Sequence, residues 1–256
     1  MNPFSFTVDD NIIFLREVTR ERPASLFDHP YMAMMRRLHE RFALKIQLNL
    51  FYETEGFTLA DMTDAYRAEW EANADWLKLS FHSRLENVRP YEASDYREVY
   101  DDCRDVHREI LRFAGESSLA ATTTVHYCVT TKEGTRALAD HGMRGLLGLF
   151  GTDEAPRTSY ALPESLGAMA RRGAVVRAGG IAFAELDLVV NCFPMTDLPA
   201  CLAALLSRDA LHIMIHEQYF YPDYRAYQPD FEEKLSYVFE TLAEHGFGSK
   251  FFEEMI

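Results

Sequence analysis

Along the chain, short apolar runs with a period of two, or with none, alternate with stretches in which apolar residues recur every three to four positions. The first run ends in Ser5-Phe6-Thr7-Val8-Asp9-Asp10-Asn11. After Pro30, the spacing of Tyr31, Met34, Leu38 and Phe42 predicts a helix with one apolar face. Ile46, Leu48, Leu50 and Tyr52 alternate and predict a second strand over 45–52; a helix over 59–72 and a third strand over 76–81 follow. Ser94 is placed to cap a long helix, striped by Tyr96, Val99, Cys103, Val106, Ile110 and Phe113 and stopped by Gly115. Residues 122–127 are rich in β-branched side chains and predict a fourth strand. A helix over 132–141 and a short strand over 146–150 come next, and 151–172 reads as an irregular insertion, a lid or substrate loop. Gly179-Gly180 suits a primed hairpin turn between 173–178 and 181–184. The nearly continuous apolar run 186–193 suits a buried parallel strand. A helix over 197–207 leads to an apolar strand ending at His216. The last helix opens at Pro229, carries Phe231, Leu235, Val238 and Leu242 on one face, and stops at Gly246. Phe251 and Phe252 are expected to close the core.

Alternation of this kind predicts βα units, and the run count gives about seven strands. The expected fold is α/β, a distorted (β/α) barrel, with residues 1–256 as a single domain. Active sites of such barrels lie at the C-terminal ends of the strands. Composition adds two exclusions. Twenty-six Lys and Arg against forty Asp and Glu leave a net charge of −14, which argues against nucleic acid and anionic membrane surfaces as partners. Met1-Asn2-Pro3-Phe4 has no basic n-region and no long apolar stretch, so the expectation is a cytoplasmic protein. Cys103, Cys128, Cys192 and Cys201 lack CxxC spacing and read as reduced core thiols.

The chemistry gathers where strands end. Asp9 and Asp10 repel at close range unless a cation lies beside them, so one can hold a metal while the other stays free as a base; the same pair could instead cap the next turn. His82 follows the third strand directly. If 83–86 forms one helical turn, His82 and Glu86 point the same way and can grip one ion.

At these residues the chain resembles the NodB-type carbohydrate esterases, the polysaccharide deacetylase superfamily, whose first motif is a strand ending T-F-D-D and whose second is H-S/T-x-x-H. Here they stand as Thr7-Val8-Asp9-Asp10 and His82-Ser83-Arg84-Leu85-Glu86. The resemblance implies a NodB-like barrel in which Asp9 is the catalytic base and Asp10 and His82 hold a divalent metal. Glu86 replaces the second metal-binding His. Thr124-Val125-His126-Tyr127 keeps only the aromatic residue of the third motif, losing the Arg that orients the base, and makes His126 a candidate replacement ligand. Ile213-Met214-Ile215-His216 resembles the fifth motif, whose His is the general acid, with Glu217, Tyr219 and Tyr221 at the pocket rim. Tyr91 and Tyr127 are further candidates for substrate contact.

A catalytic zinc usually keeps three protein ligands. The third is therefore expected from His126, favoured as a neutral nitrogen, or from Glu86. These readings point to a metal-dependent hydrolase of C–N bonds, with zinc as the expected ion and a small N-acylated sugar or related amide as substrate. Two rivals remain: a non-catalytic barrel that binds a carbohydrate or other polar ligand, and a metal-dependent sugar isomerase, which the lack of a Lys beside the strand ends disfavours.

Overall fold

A computed structural model describes residues 1–86, 91–150 and 159–256. Strand β1 (Asn2–Asn11) is followed at once by helix α1 (Ile13–Glu21), then by α2 (Pro30–Phe42), β2 (Ile46–Thr54) and the short β3 (Phe57–Thr58). Next come α3 (Arg67–Ala72), β4 (Leu77–Leu85), the long α4 (Tyr96–Phe113), β5 (Thr122–Thr123), α5 (Lys132–Asp140), β6 (Gly145–Gly148) and α6 (Glu164–Ala170). The remainder is β7 (Val176–Ala178), β8 (Ile181–Glu185), β9 (Leu188–Val189), α7 (Leu198–Leu205), β10 (Leu211–His216), α8 (Phe231–Glu244) and β11 (Phe247–Ser249).

Strands β9, β10, β1, β2 and β4 lie side by side and parallel. Antiparallel β3 extends the end of β2, and β11 pairs with the start of β1. A second sheet sets β5, β6 and β8 parallel, with β7 hairpinned onto β8 through Gly179 and Gly180, both at positive φ. Among the described residues, strand pairing does not close the ring; hydrogen bonds outside the ladders cross the seams instead. Ala120 N donates to Leu79 O at 2.9 Å, Ser80 Oγ to Thr122 O at 2.8 Å and Gln47 Nε2 to the same carbonyl at 2.9 Å. Across the other seam, Leu186 N donates to Gly148 O at 2.8 Å and Asp187 N to His212 O at 2.9 Å. The result is a distorted α/β barrel, as the alternation of elements predicts.

The apolar residues of β1 face the helices: the Phe4 and Phe6 rings lie 5.8 and 4.8 Å from that of Phe239 on α8. The alternate residues face inward and are polar. Ser5 Oγ meets His212 Nδ1 at 2.8 Å, Gln47 Nε2 donates to Asn49 Oδ1 at 2.7 Å, and Asn49 Nδ2 donates to Asp9 Oδ1 at 2.7 Å. A buried polar row of this kind is stable only when its members satisfy one another. Here the bonds fall into two groups, Ser5 with His212 lower down and Gln47-Asn49-Asp9 towards the strand ends. Among the described residues, no helix is long and apolar enough to cross a membrane.

Several elements differ from expectation. The 59–72 helix is a 3-10 turn (Leu59–Asp61) followed by the shorter α3, because Asp61 Oδ2 reaches back to Thr58 N and Oγ1 at 2.9 and 2.8 Å and closes the turn early. The cap of α4 is Asp95, whose Oδ1 accepts from Glu98 N at 2.9 Å, and not Ser94. Strand 122–127 is cut to β5, and its expected end is taken by a 3-10 turn at His126–Cys128, where Tyr127 and Cys128 have left-handed φ of 58° and 55°. Strand 186–193 is cut to β9 by a 3-10 turn at Val190–Cys192. The insertion 151–172 carries α6; its first part, 151–158, lies outside the described residues, as does Pro90.

Helix α1 buries Phe14, Leu15 and Val18 on one face but has no capping signal of its own. Its N-cap is Ile12, and the cap comes from Glu217, whose Oε2 accepts from Ile12 N and Ile13 N at 2.7 and 2.9 Å and whose Oε1 accepts from Phe14 N at 2.7 Å. Glu217→Ala leaves these N–H groups without an acceptor. Urea unfolding should show a loss of about 2–4 kcal/mol, whereas a change under about 0.5 kcal/mol would mean that the cap is dispensable.

Candidate metal centre

Two β-bulges build the site. Pairing between β1 and β2 steps from Val8↔Leu48 to Asn11↔Leu50, so β1 has one residue too many, and Asp10 adopts a φ of 63°. Strict alternation would point Asp9 and Asp10 to opposite faces, but the bulge lets both line the same cavity. Pairing between β2 and β4 steps from Leu50↔Phe81 to Phe51↔Ser83 and leaves His82 as the extra residue. The segment after His82 stays extended to Leu85, so the helical turn expected over 83–86 does not form. His126 sits on the 3-10 turn that ends β5.

Asp10, His82 and His126 converge, all buried, with ligand atoms within 4.8 Å of one another. His82 Nε2 lies 2.9 Å from Asp10 Oδ1 and 3.1 Å from His126 Nδ1, and His126 Nδ1 lies 3.2 Å from the same carboxylate oxygen. His82 Nδ1 faces the Thr124 carbonyl at 2.5 Å and must donate to it, so a neutral His82 directs the lone pair of Nε2 at a carboxylate oxygen. That contact needs a proton or a metal ion between the two atoms. Ligands about 2.0–2.1 Å from one zinc stand roughly 3–3.4 Å apart, and the three spacings, 2.9, 3.1 and 3.2 Å, lie at or just under the lower end of that range. One carboxylate and two imidazoles also suit a divalent transition ion. The residues therefore fit a metal. Burial opposes charge on His82, yet the Asp9 and Asp10 carboxylates outweigh it and raise its pKa; burial lowers that of His126. Burial also acts to raise Asp10, but its hydrogen bonds with His126 and His82 hold it well below the ordinary carboxylate value.

Asp9 stands beside this triad, buried, and its pKa is raised by burial, with His82, His216 and Asn49 offsetting only part of the effect. His216 is its register partner across the β1–β10 ladder. Asn191 Oδ1 faces His216 Nδ1 at 2.9 Å and its backbone N at 3.1 Å, which holds the ring and leaves Nε2 for another partner. Asp9 and His216 line a cavity of about 310 Å³ together with the triad, Tyr127, Tyr224 and Arg225.

Glu86 lines the cavity but does not join the triad; Gln218 Nε2 links them, donating to Asp10 Oδ2 at 2.8 Å and to Glu86 Oε1 at 3.2 Å. Four of the candidate substrate contacts do not line the cavity. Tyr91 is fully buried, accepting from Arg84 N at 3.1 Å and donating to Asp102 at 3.0 Å. Glu217 is fully buried as the α1 cap, Tyr221 donates to it at 3.1 Å, and Tyr219 packs beside His216 and Tyr224. Tyr127 is at the cavity mouth, 41% exposed. Sequence reasoning missed Asn49, Gln218 and Asn191. The inward parity of Asn49 on a strand neighbouring Asp9 was the one available signal.

No family model and no curated protein matches this chain. Solved structures do. The 4-alpha-glucanotransferase from Thermococcus litoralis superposes with a TM-score of 0.60 at 12% identity over 99% of this chain, which spans 40% of that protein's length. A putative polysaccharide deacetylase from Mycobacterium smegmatis gives 0.59 at 10% identity, covering 99% of this chain and 88% of that one. The fold is that of the NodB-like polysaccharide deacetylases. A family 4 acetyl xylan esterase from Clostridium thermocellum, solved with a cobalt ion, gives 0.51 at 12% identity, covering 98% and 89%. At such identities the likeness is one of fold, and the chemistry has to be argued from the site.

The His82–Asp10 pair makes metal-free stability depend on pH. It contributes fully between the ordinary values of 3.8 and 6.5, and is lost as pH falls through the lowered Asp10 pKa or rises through the raised His82 pKa. Metal binding has the opposite slope, because it needs a deprotonated His82. The rise in Tm on adding Zn2+ should therefore grow from about pH 5.5 to about pH 8; equal rises at both would contradict the assignment.

Proposed function

We propose that this chain is a single-domain, metal-dependent hydrolase of C–N bonds that removes an acyl group from a small N-acylated sugar or a related amide. The observation that carries it is a buried Asp9, kept off the Asp10-His82-His126 triad by its hydrogen bond with Asn49, and set across the ladder from His216. Asp10, His82 and His126 would hold the ion, for which zinc is the first choice. A bound divalent ion supplies a Lewis acid that polarises the acyl carbonyl and acidifies water.

Asp9 takes the proton of the attacking water. Its raised pKa brings it closer to neutral pH than an ordinary carboxylate, which suits a base that must later release the proton. Asn49 fixes one carboxylate oxygen and leaves the other for water. It stands in for the Arg that the third motif lacks here, and this favours catalysis over the non-catalytic binding barrel. His216, oriented by Asn191, donates from Nε2 to the leaving nitrogen. A cavity of about 310 Å³ with Tyr127 and Tyr224 at its wall suits a sugar ring or two better than a long polymer.

The zinc-loaded protein should release acetate from at least one N-acetylated sugar or amide in a panel. Asp9→Asn should keep the metal and lower kcat by about 10²–10⁴-fold. Asp10→Ala and His126→Ala should lose the metal itself. Full metal retention by His126→Ala, or equal metal loss in Asp9→Asn and Asp10→Ala, would sink the division of labour. A loaded protein inert on the whole panel would favour the binding barrel.

A further inference from the structure

A second group of metal-ligating side chains lies on the helical layer, apart from the cavity. Cys103 and His107 are four residues apart on α4, so one turn brings them to the same face. Cys103 Sγ lies 3.8 Å from His107 Nε2. His141 is the residue that ends α5, and its ring centroid lies 4.9 Å from that of His107. The ligand atoms of all three fall within 4.8 Å of one another. Tyr100 packs edge-on against His141 at 5.1 Å and fixes that ring. Among the described residues, neither imidazole hydrogen-bonds a carboxylate, and Cys103 is fully buried.

Sulfur about 2.3 Å and nitrogen about 2.0–2.1 Å from one tetrahedral ion stand roughly 3.6 Å apart. The observed spacing is close to that. We propose that Cys103, His107 and His141 form a second metal site, for a zinc-class ion, that clamps α4 to α5. One thiolate and two imidazoles select a borderline or soft ion over magnesium or calcium. On binding, the Cys103 S–H bond breaks, the sulfur–metal bond forms and one proton leaves to solvent. His141 is partly exposed, which gives the ion a way in and a fourth position for water. The clamp bears on the first site as well, because α5 follows the turn that presents His126.

Cobalt separates the two sites, since only a thiolate ligand gives a sulfur-to-cobalt charge-transfer band in the near ultraviolet and the first site has no sulfur ligand. The full-length protein loaded with Co2+ should show this band, and Asp10→Ala should retain it. Cys103→Ser should abolish it, and bound zinc should fall from about two equivalents per chain to about one. That remaining equivalent also reports that the variant is folded. His141→Ala, a substitution at a partly exposed position, should weaken the band at least several-fold and carries the test if Cys103→Ser does not fold. Absence of the band in the parent protein, or its survival in Cys103→Ser, would overturn the proposal.

Discussion

Three electron-pair donors cannot share a few ångströms of buried space without a positive charge among them. With its other ring nitrogen committed to the Thr124 carbonyl, a neutral His82 brings a lone pair to within 2.9 Å of Asp10 and 3.1 Å of His126. A proton or a cation must resolve that contact, and much of the upper barrel is arranged to pose the problem. One bulge twists Asp10 inward, another singles out His82, and a pair of left-handed residues folds His126 over them. Each costs local backbone free energy, of order 1 kcal/mol or more. Such distortions persist where the surrounding structure enforces them, and sites of function are where they gather.

Below the triad, the barrel inverts the usual arrangement of a half-buried strand. Apolar side chains of β1 face the helices and polar ones face the axis, where Ser5 bonds to His212 and, nearer the strand ends, Gln47 bonds to Asn49 and Asn49 to Asp9. Asp9 is the last member of that row and the first of the site. Burial raises its pKa, while Asn49 and the neighbouring imidazoles limit the rise. Environment alone thus sets two adjacent aspartates apart, one with its pKa raised and the other with its pKa lowered. Their identities in sequence are the same; their partners are not.

What could be read from the sequence follows from which interactions are local. Asp9, His82 and His216 were legible as candidates because apolar runs stop at these polar residues, although β4 continues past His82 to Leu85. Helices α2, α4 and α8 were legible from their periodicity. Helix α1 was not, since Glu217 caps it from more than two hundred residues away and Ile12 gives no local start signal. Glu217 was misread for the same reason: next to His216 in sequence, it turns into the barrel wall and away from the cavity. Tyr91 was misread because burial against Asp102 is a tertiary fact. The spacing of His82 and Glu86 suggested a helical turn, whereas a bulged strand places His82 in the triad and leaves Glu86 outside it, hydrogen-bonded to Gln218. His126 was legible as a candidate only because the third motif departs from its pattern.

The central claim is that Asp10, His82 and His126 are ligands of one ion, with Asp9 beside it and not on it. Anomalous diffraction at the zinc edge from crystals grown with zinc tests this directly. The account predicts a peak within bonding distance, about 2.0–2.2 Å, of Asp10 Oδ1, His82 Nε2 and His126 Nδ1, with Asp9 outside that range. A peak bonded to Asp9 or Glu86 in place of His126, or no peak at this position, would contradict it.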